Sequence, residues 1–189
     1  MTRTYESLTN INTDRKSKVY MLTATAAMTA VICVLAPFSI PVGPVPVSLT
    51  TLALYFSVYL LGWKMSSLSC IIYILIGMAG LPVFSGFSGG PGKLAGPTGG
   101  YIIGFLPLVI ITGMMIDHMR NRFLQFLAML LGTAVCYAFG TAWFCVITES
   151  GVAAAMGTCV LPFIPGDIIK MIAVLATGPV IKKSIKTVI

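Results

Sequence analysis

The chain has 189 residues, of which 57% are hydrophobic and only 9% are charged, and its formal net charge is +7. Soluble domains carry roughly 45–50% apolar and about 25% charged residues, so the polar side chains here are too few to cover a surface that faces water. The composition excludes an ordinary soluble domain and predicts an all-α, polytopic membrane protein.

Along the chain, residues 1–18 are polar and are predicted to form a loosely ordered N-terminal segment. Residues 19–189 are predicted to form a single transmembrane domain, a bundle of six helices. The six apolar segments run over roughly 19–36, 47–61, 65–80, 101–116, 123–147 and 167–181. A membrane helix needs about 20 apolar residues. We therefore expect the shorter segments to recruit flanking residues or to lie in a locally thinned bilayer.

The connections at one end of the predicted bundle are long and rich in glycine and proline. The segment 81–100 contains seven glycines and three prolines, which predicts a long irregular loop. Loops of this length are usually functional or disordered, and Phe84 and Phe87 argue against disorder. We expect the long loops to fold over one mouth of the bundle and to cap a ligand site there.

Lysine and arginine are distributed unequally between the two ends of the bundle. Ten of the twelve fall at the two termini and in the turns after the second and fourth segments, and only Lys93 and Lys170 fall on the other side. The positive-inside rule then places both termini in the cytoplasm. Because topology accounts for the positive charge, the lipid bilayer is an expected partner and nucleic acid is not.

Motifs for catalysis and for metal or nucleotide binding are missing from the sequence. The five cysteines form no CxxC pair, the only histidine is His118 in a charged turn, and no Walker A motif occurs. We therefore expect no metal site, no cofactor and no enzymatic activity, and the chain is not expected to use ATP itself.

The apolar segment "FIPGDIIKMIAVLATGP" carries two opposite charges, Asp167 and Lys170. Their spacing of three residues puts both on one face of a helix, in what the sequence predicts to be its first turn. Ionisable groups in a membrane helix normally face the bundle interior or a polar cavity. Two interpretations stay open: a structural ion pair, or a binding site for a small molecule with N–H donors, a carbonyl or carboxylate, and an apolar body.

Further candidate site residues begin the second and fourth segments. Ser48, Thr50 and Thr51 start the second segment, and their hydroxyls could bind a ligand or bond back to helix carbonyls. The motif "GPTGGY" brings small residues and the Tyr101 phenol to the start of the fourth segment. Tyr101 could contact the ligand or anchor the helix at the membrane interface.

Small residues mark one face of the first segment. Ala26 and Ala30 are four residues apart in "TATAAMTA". Small side chains at this spacing permit close contact between membrane helices. The face could pack inside the bundle or dock a partner subunit.

Four motifs resemble those of BioY proteins, the biotin-binding S components of energy-coupling factor (ECF) transporters. They are "SIPVGPVPVSLTTL", "GMAGLPVFSGFSGG", "GPTGGYIIGF" and "PGDIIK", and they follow one another in the order typical of that family. The resemblance implies six helices in a bacterial cell membrane, and a ligand site near the outer face. It also implies that Ala26 and Ala30 contact a transmembrane T component, which joins two ATP-binding cassette ATPases.

The resemblance also implies biotin as the ligand, bound by Asp167 and Lys170. Asp167 would accept from a ureido N–H, and Lys170 would donate either to the ureido oxygen or to the valerate carboxylate. Phe84, Phe87 and Tyr101 would supply apolar walls. Thr50 stands where the family often has a glutamine, so a water or another residue would replace that contact.

Three other functions remain open on the sequence alone. The chain could be an S component for a different vitamin, or a secondary transporter that needs no ATPase. A membrane enzyme is disfavoured because no catalytic cluster is evident.

Overall fold

The structure, a computed structural model, describes residues 2–41, 44–119 and 121–188, with side chains from Lys18 to Ser184 within these ranges. Val42 and Gly43, which belong to the first of the four motifs, lie outside the described residues. So do several cations used to predict the orientation: Arg120, and the side chains of Arg3, Arg15, Lys16 and Lys186.

The described residues form seven helices and one small β-hairpin. In chain order these are α1 Thr2–Leu35, β1 Ser39–Ile40, β2 Val47–Ser48, α2 Thr50–Met78, α3 Pro91–Ala95, α4 Gly99–His118, α5 Arg122–Thr148, α6 Val152–Cys159 and α7 Phe163–Val188. Among the described residues, α1, α2, α4, α5 and α7 are long and apolar enough to cross a membrane. The predicted all-α membrane fold is confirmed, and the predicted count of six spans is not.

The difference in count arises in α2, which contains both the second and the third predicted segments. Gly62 interrupts this helix with φ 75° and ψ 173°, a backbone conformation that only glycine adopts readily. The side chains of Thr50 and Tyr73 lie beside each other, although a straight helix would separate these residues by about 35 Å. The chain therefore reverses direction at Gly62, where the sequence predicts a turn.

Other boundaries differ from the predicted ones. Residues expected to be loosely ordered are helical, since α1 begins at Thr2. Two short helices, α3 and α6, lie inside predicted loops. Helix α7 begins at Phe163, so Asp167 lies in its second turn and not in its first. Pro165 is compatible with this early start. Backbone N–H groups in the first turn of a helix have no partner within the helix, so the N–H that proline lacks is not missed there.

Helix α4 is the centre of the bundle and packs against α2 and α5. Its N-terminal half is closely fitted to α5, where an added Cβ on Gly104 would lie 3.1 Å from the Cys136 sulfur. At its C-terminal end, Asp117 Oδ2 accepts a 3.2 Å hydrogen bond from the Trp63 backbone N–H. This bond ties α4 to the reversal of α2, at the end of the bundle opposite the site described below.

Candidate ligand-binding site

A cavity lies between four helices and is covered by the β-hairpin. Its lining combines apolar and aromatic side chains with a few polar groups, as small-molecule sites usually do. The lining residues are Val45, Pro46, Val47, Ser48, Thr51, Tyr101, Phe105, Leu108, Thr133, Cys136, Tyr137, Phe163, Asp167 and Lys170.

The cavity is narrow in this conformation. Its volume is about 60 Å³. Pockets that hold small molecules have volumes of about 300–1,000 Å³. A ligand of vitamin size therefore needs the cavity to widen, and the β-hairpin is the part of its lining that lies outside the helices.

Asp167 and Lys170 form an ion pair inside this cavity. Lys170 Nζ lies 2.9 Å from Asp167 Oδ1, and Asp167 is 5% exposed. The same carboxylate oxygen accepts a 3.0 Å hydrogen bond from the Thr51 hydroxyl, and Oδ2 accepts one of 2.5 Å from the Tyr137 hydroxyl. Buried charges require such partners, since an unpaired charge away from water is very costly.

Lys170 also connects α7 to the β-hairpin that covers the cavity. Its ammonium group donates to the Ser48 backbone carbonyl at 2.7 Å and to the Thr51 hydroxyl at 3.1 Å. Ser48 belongs to β2, which pairs with β1 through Ser39 opposite Ser48 and Ile40 opposite Val47. The hairpin is therefore held over the cavity by the same cation that neutralises Asp167.

Three aromatic rings form one wall of the cavity. Phe163 packs against Tyr101 and against Tyr137, with ring centroids 6.5 Å apart in both pairs. The Tyr101 hydroxyl donates to the Cys159 carbonyl at 3.3 Å. The Tyr101 ring fits against Gly140, where any Cβ would overlap the ring carbons. Glycine at this position lets the ring lie directly against α5.

The predicted site residues divide into two groups. Asp167, Lys170 and Tyr101 line one cavity, although they come from two different helices, α4 and α7. Thr50 is buried, but its hydroxyl lies 2.8 Å from the Ser48 hydroxyl and beside Tyr73. The adjacent Thr51 is the threonine that reaches Asp167.

The structure does not place Phe84 and Phe87 in the lining of this cavity. Phe84 is fully buried against Tyr73, with centroids 5.5 Å apart, and against the backbone of Gly77. Phe87 is 62% exposed and packs edge-on against Phe38. Both belong to a turn that leans on the end of α1, because Gly86 N–H donates to the Pro37 carbonyl at 2.9 Å. The loop that covers the cavity is the β-hairpin instead.

The small-residue face of α1 lies away from the cavity. Ala26 and Ala30 are exposed, whereas the neighbouring Thr25 and Thr29 are buried. The Thr25 carbonyl accepts a 3.1 Å hydrogen bond from Ser69 of α2. Internal packing thus uses the threonine face of α1 and leaves the alanine face uncovered.

Comparison with known families gives a match over nearly the whole chain. The model of the BioY family matches residues 9–187. The chain belongs to the BioY family. The resemblance inferred from the four motifs is thereby confirmed.

Individual BioY proteins are similar over most of their length. The "Biotin transporter BioY" of Thermotoga maritima is 35% identical over 156 residues, which cover 82% of this chain and 91% of that protein. The "Probable biotin transporter BioY" of Pyrococcus horikoshii is 39% identical over 145 residues, which cover 77% and 85%.

A solved structure has a similar fold. It is a crystal structure at 2.1 Å of the S-component for biotin from an ECF-type ABC transporter. The TM-score is 0.82 at 31% sequence identity, covering 89% of this chain and 93% of the other. The helical membrane fold described above is therefore that of an S component.

Two polar cavity residues of this BioY chain, Thr133 and Tyr137, are not predicted by the sequence motifs. They come from α5, where Thr133, Tyr137 and Thr141 recur every fourth residue in a largely apolar helix. Residues at this spacing share a helix face, so a polar stripe was visible in the sequence. The stripe did not reveal its partner, since the Thr133 hydroxyl pairs with Tyr55 of α2 and the Tyr137 hydroxyl with Asp167 of α7.

Proposed function

We propose that this chain is the biotin-binding S component of an ECF transporter, which captures the vitamin and delivers it to an ATP-driven module. One observation carries the proposal: the Asp167–Lys170 pair is buried inside a cavity capped by a hairpin. An acceptor and a donor side by side match the ureido ring of biotin, which has two N–H donors and one carbonyl acceptor.

In the proposed complex, the polar side chains bind the polar groups of biotin, and the apolar side chains pack against the rest of it. Asp167 accepts from a ureido N–H, and Lys170 donates to the ureido oxygen or to the valerate carboxylate. Phe105, Leu108 and the Tyr101 ring pack against the thioether ring and the aliphatic chain. The three N–H donors of Lys170 already meet the Ser48 carbonyl, the Thr51 hydroxyl and Asp167, so a bond to the ligand replaces one of them. If the ligand replaces the Ser48 carbonyl, its capture would release the β-hairpin and let the narrow cavity widen.

The proposed topology has six crossings of the cell membrane, with both termini in the cytoplasm. Support for six comes from the reversal of α2 at Gly62, which divides 29 residues into two antiparallel segments. Support for the orientation comes from the excess of lysine and arginine at the termini and in alternate turns. The cavity would then face the outside, as uptake requires.

The proposed partners are a transmembrane T component and two ATP-binding cassette ATPases. Ala26 and Ala30 would form the docking face, since they are exposed on a membrane helix and permit close approach of another helix. If Ala26 and Ala30 faced only lipid, nothing would require small side chains at a spacing of four residues. No nucleic acid partner is proposed.

Titration of the purified chain with biotin in detergent tests the proposed function. We expect binding without ATP and without partner subunits, because the polar groups and the cavity all come from this chain. A panel of other vitamins serves as the control for specificity. Binding of another vitamin in place of biotin would reassign the substrate. Transport by the chain alone in proteoliposomes would indicate a secondary transporter instead.

A further inference from the structure

Among the described residues, the Tyr137 phenol makes the shortest hydrogen bond to the site carboxylate. Its hydroxyl donates to Asp167 Oδ2 at 2.5 Å. The two residues come from α5 and α7, so the bond crosses the cavity wall between two helices. Hydrogen bonds to a charged acceptor are short and strong compared with neutral ones.

The acceptor positions of Asp167 are almost filled by the described side chains before any ligand binds. A carboxylate offers about four acceptor positions, two on each oxygen. Thr51 and Lys170 occupy the two on Oδ1, and Tyr137 occupies one on Oδ2. The second position on Oδ2 can accept from an N–H donor, directly beside the Tyr137 hydroxyl. The direction of that position depends on how Tyr137 turns the carboxylate.

The ring of Tyr137 is held independently of its hydroxyl. One side packs against Phe163, and the residue also lines a second, apolar groove between α5 and α6. The groove is bordered by Ala138 and Met156 among others. Because phenylalanine keeps these ring contacts, Tyr137→Phe removes the hydrogen bond and leaves the wall in place.

We infer that Tyr137 is a positioning residue, whose hydroxyl orients the Asp167 carboxylate so that its second Oδ2 position meets a ureido N–H of the ligand. This inference rests on the proposed function. The competing explanation is that Asp167 only provides a hydrogen-bond acceptor for a half-buried phenol, and that this bond does not affect ligand affinity. The two explanations differ in whether the effect of Tyr137→Phe on biotin affinity depends on the presence of Asp167.

A double-mutant cycle on the full chain separates these explanations. Biotin affinity is measured for wild type, Tyr137→Phe, Asp167→Asn and the double variant. We expect Tyr137→Phe to weaken binding about tenfold in the wild-type background, as for loss of one hydrogen bond to a charged group. In the Asp167→Asn background we expect an effect of less than about twofold, since the carboxylate that the Tyr137 hydroxyl orients is no longer present.

Tyr101→Phe is the matched control. Tyr101 lines the same cavity and packs on the same Phe163 ring, but its hydroxyl contacts Cys159 and Thr141 and not Asp167. Its effect on affinity, whatever its size, should be the same in both backgrounds. If Asp167→Asn binds too weakly to titrate, biotin analogues methylated on either ureido nitrogen replace that variant. One of these analogues lacks the N–H that Asp167 is proposed to bind. Tyr137→Phe should not change the affinity for that analogue.

The outcomes are distinguishable. An unchanged biotin affinity of Tyr137→Phe overturns the inference alone. An equal loss in both backgrounds, or on biotin and both methylated analogues, also overturns it, because a merely structural role acts on every ligand alike. Failure of the wild-type chain to bind biotin overturns the proposed function, and the inference with it.

Discussion

At the scale of single residues, Asp167 shows how an ionised group is accommodated within a membrane helix. The described residues supply it with hydrogen-bond donors from α2, α5 and α7. Removing one partner of a buried ion pair is strongly destabilising, about 3–5 kcal/mol, because a charge is left uncompensated. The same arrangement serves a structural ion pair and a ligand site, and substitutions at the two charged positions distinguish them.

Replacement of Asp167 by asparagine should weaken biotin binding roughly ten- to hundredfold, because a hydrogen bond to a charged group contributes about 1.5–3 kcal/mol. Lys170→Ala should have a similar effect. Calorimetric titration measures the affinity, and thermal unfolding without ligand measures stability.

Asp117→Asn is the control for loss of a carboxylate elsewhere, since Asp117 bonds to Trp63 at the opposite end of the bundle. This control should bind biotin normally. Normal binding by both Asp167→Asn and Lys170→Ala, with earlier melting, would identify the pair as structural.

At the scale of elements, the reversal in α2 determines how the bundle is built. It brings the start of α2 back beside Tyr73 and places Trp63 where Asp117 can accept its N–H. The sequence predicts the break, because "GWK" interrupts an apolar run. The positive φ of Gly62 and its contact with α4 are visible only in the folded chain.

Substitution of Gly62 by alanine should lower the free energy of unfolding by about 1–3 kcal/mol, the usual cost of a side chain in a region of φ and ψ reserved for glycine. The added Cβ would also lie 3.2 Å from Asp117 Oδ2. Thermal unfolding in detergent measures the change.

Gly157→Ala provides the comparison, because Gly157 lies in α6 without a positive φ, and no neighbouring atom would come within 4 Å of an added Cβ there. It should change stability by about 1 kcal/mol or less, in the stabilising direction. Equal effects of the two substitutions would show that the Gly62 backbone carries no special constraint.

At the scale of the whole molecule, the proposed ligand site and the proposed docking surface lie in different parts of the bundle. The cavity is formed by α2, α4, α5, α7 and the hairpin, and the described part of α1 contributes no residue to its lining. In the proposed complex, the exposed alanines of α1 would therefore contact another subunit without disturbing the ligand.

Ala26→Leu or Ala30→Leu should abolish ATP-driven biotin uptake in cells that carry the partner subunits, because a leucine would push the docked helices apart. Biotin binding by the isolated chain should persist. Co-purification with the T component and titration with biotin measure the two properties separately.

Ala176→Leu makes the same substitution at an exposed position of α7, and it should leave uptake unchanged. Intact co-purification together with lost biotin binding in the α1 variants would place Ala26 and Ala30 in the chain's own packing. The docking surface would then have to lie elsewhere.

Composition and local motifs were sufficient to establish that the fold lies in a membrane, which family it belongs to and which charged pair its proposed site contains. Apolar content and the long hydrophobic segments can be counted without knowing the fold, and the shared face of Asp167 and Lys170 follows from helix periodicity. Four motifs were enough to identify the family, because each motif is a short continuous stretch of the sequence.

The side chains that complete the cavity, by contrast, follow from tertiary packing. Thr51, and not Thr50, reaches Asp167, and Tyr137 meets it from a position 30 residues away in sequence. Phe84 turns instead toward Tyr73. Such choices depend on the rotation of each helix about its own axis, which is set by close packing against its neighbours. A sequence pattern specifies a polar face, whereas packing specifies what that face meets.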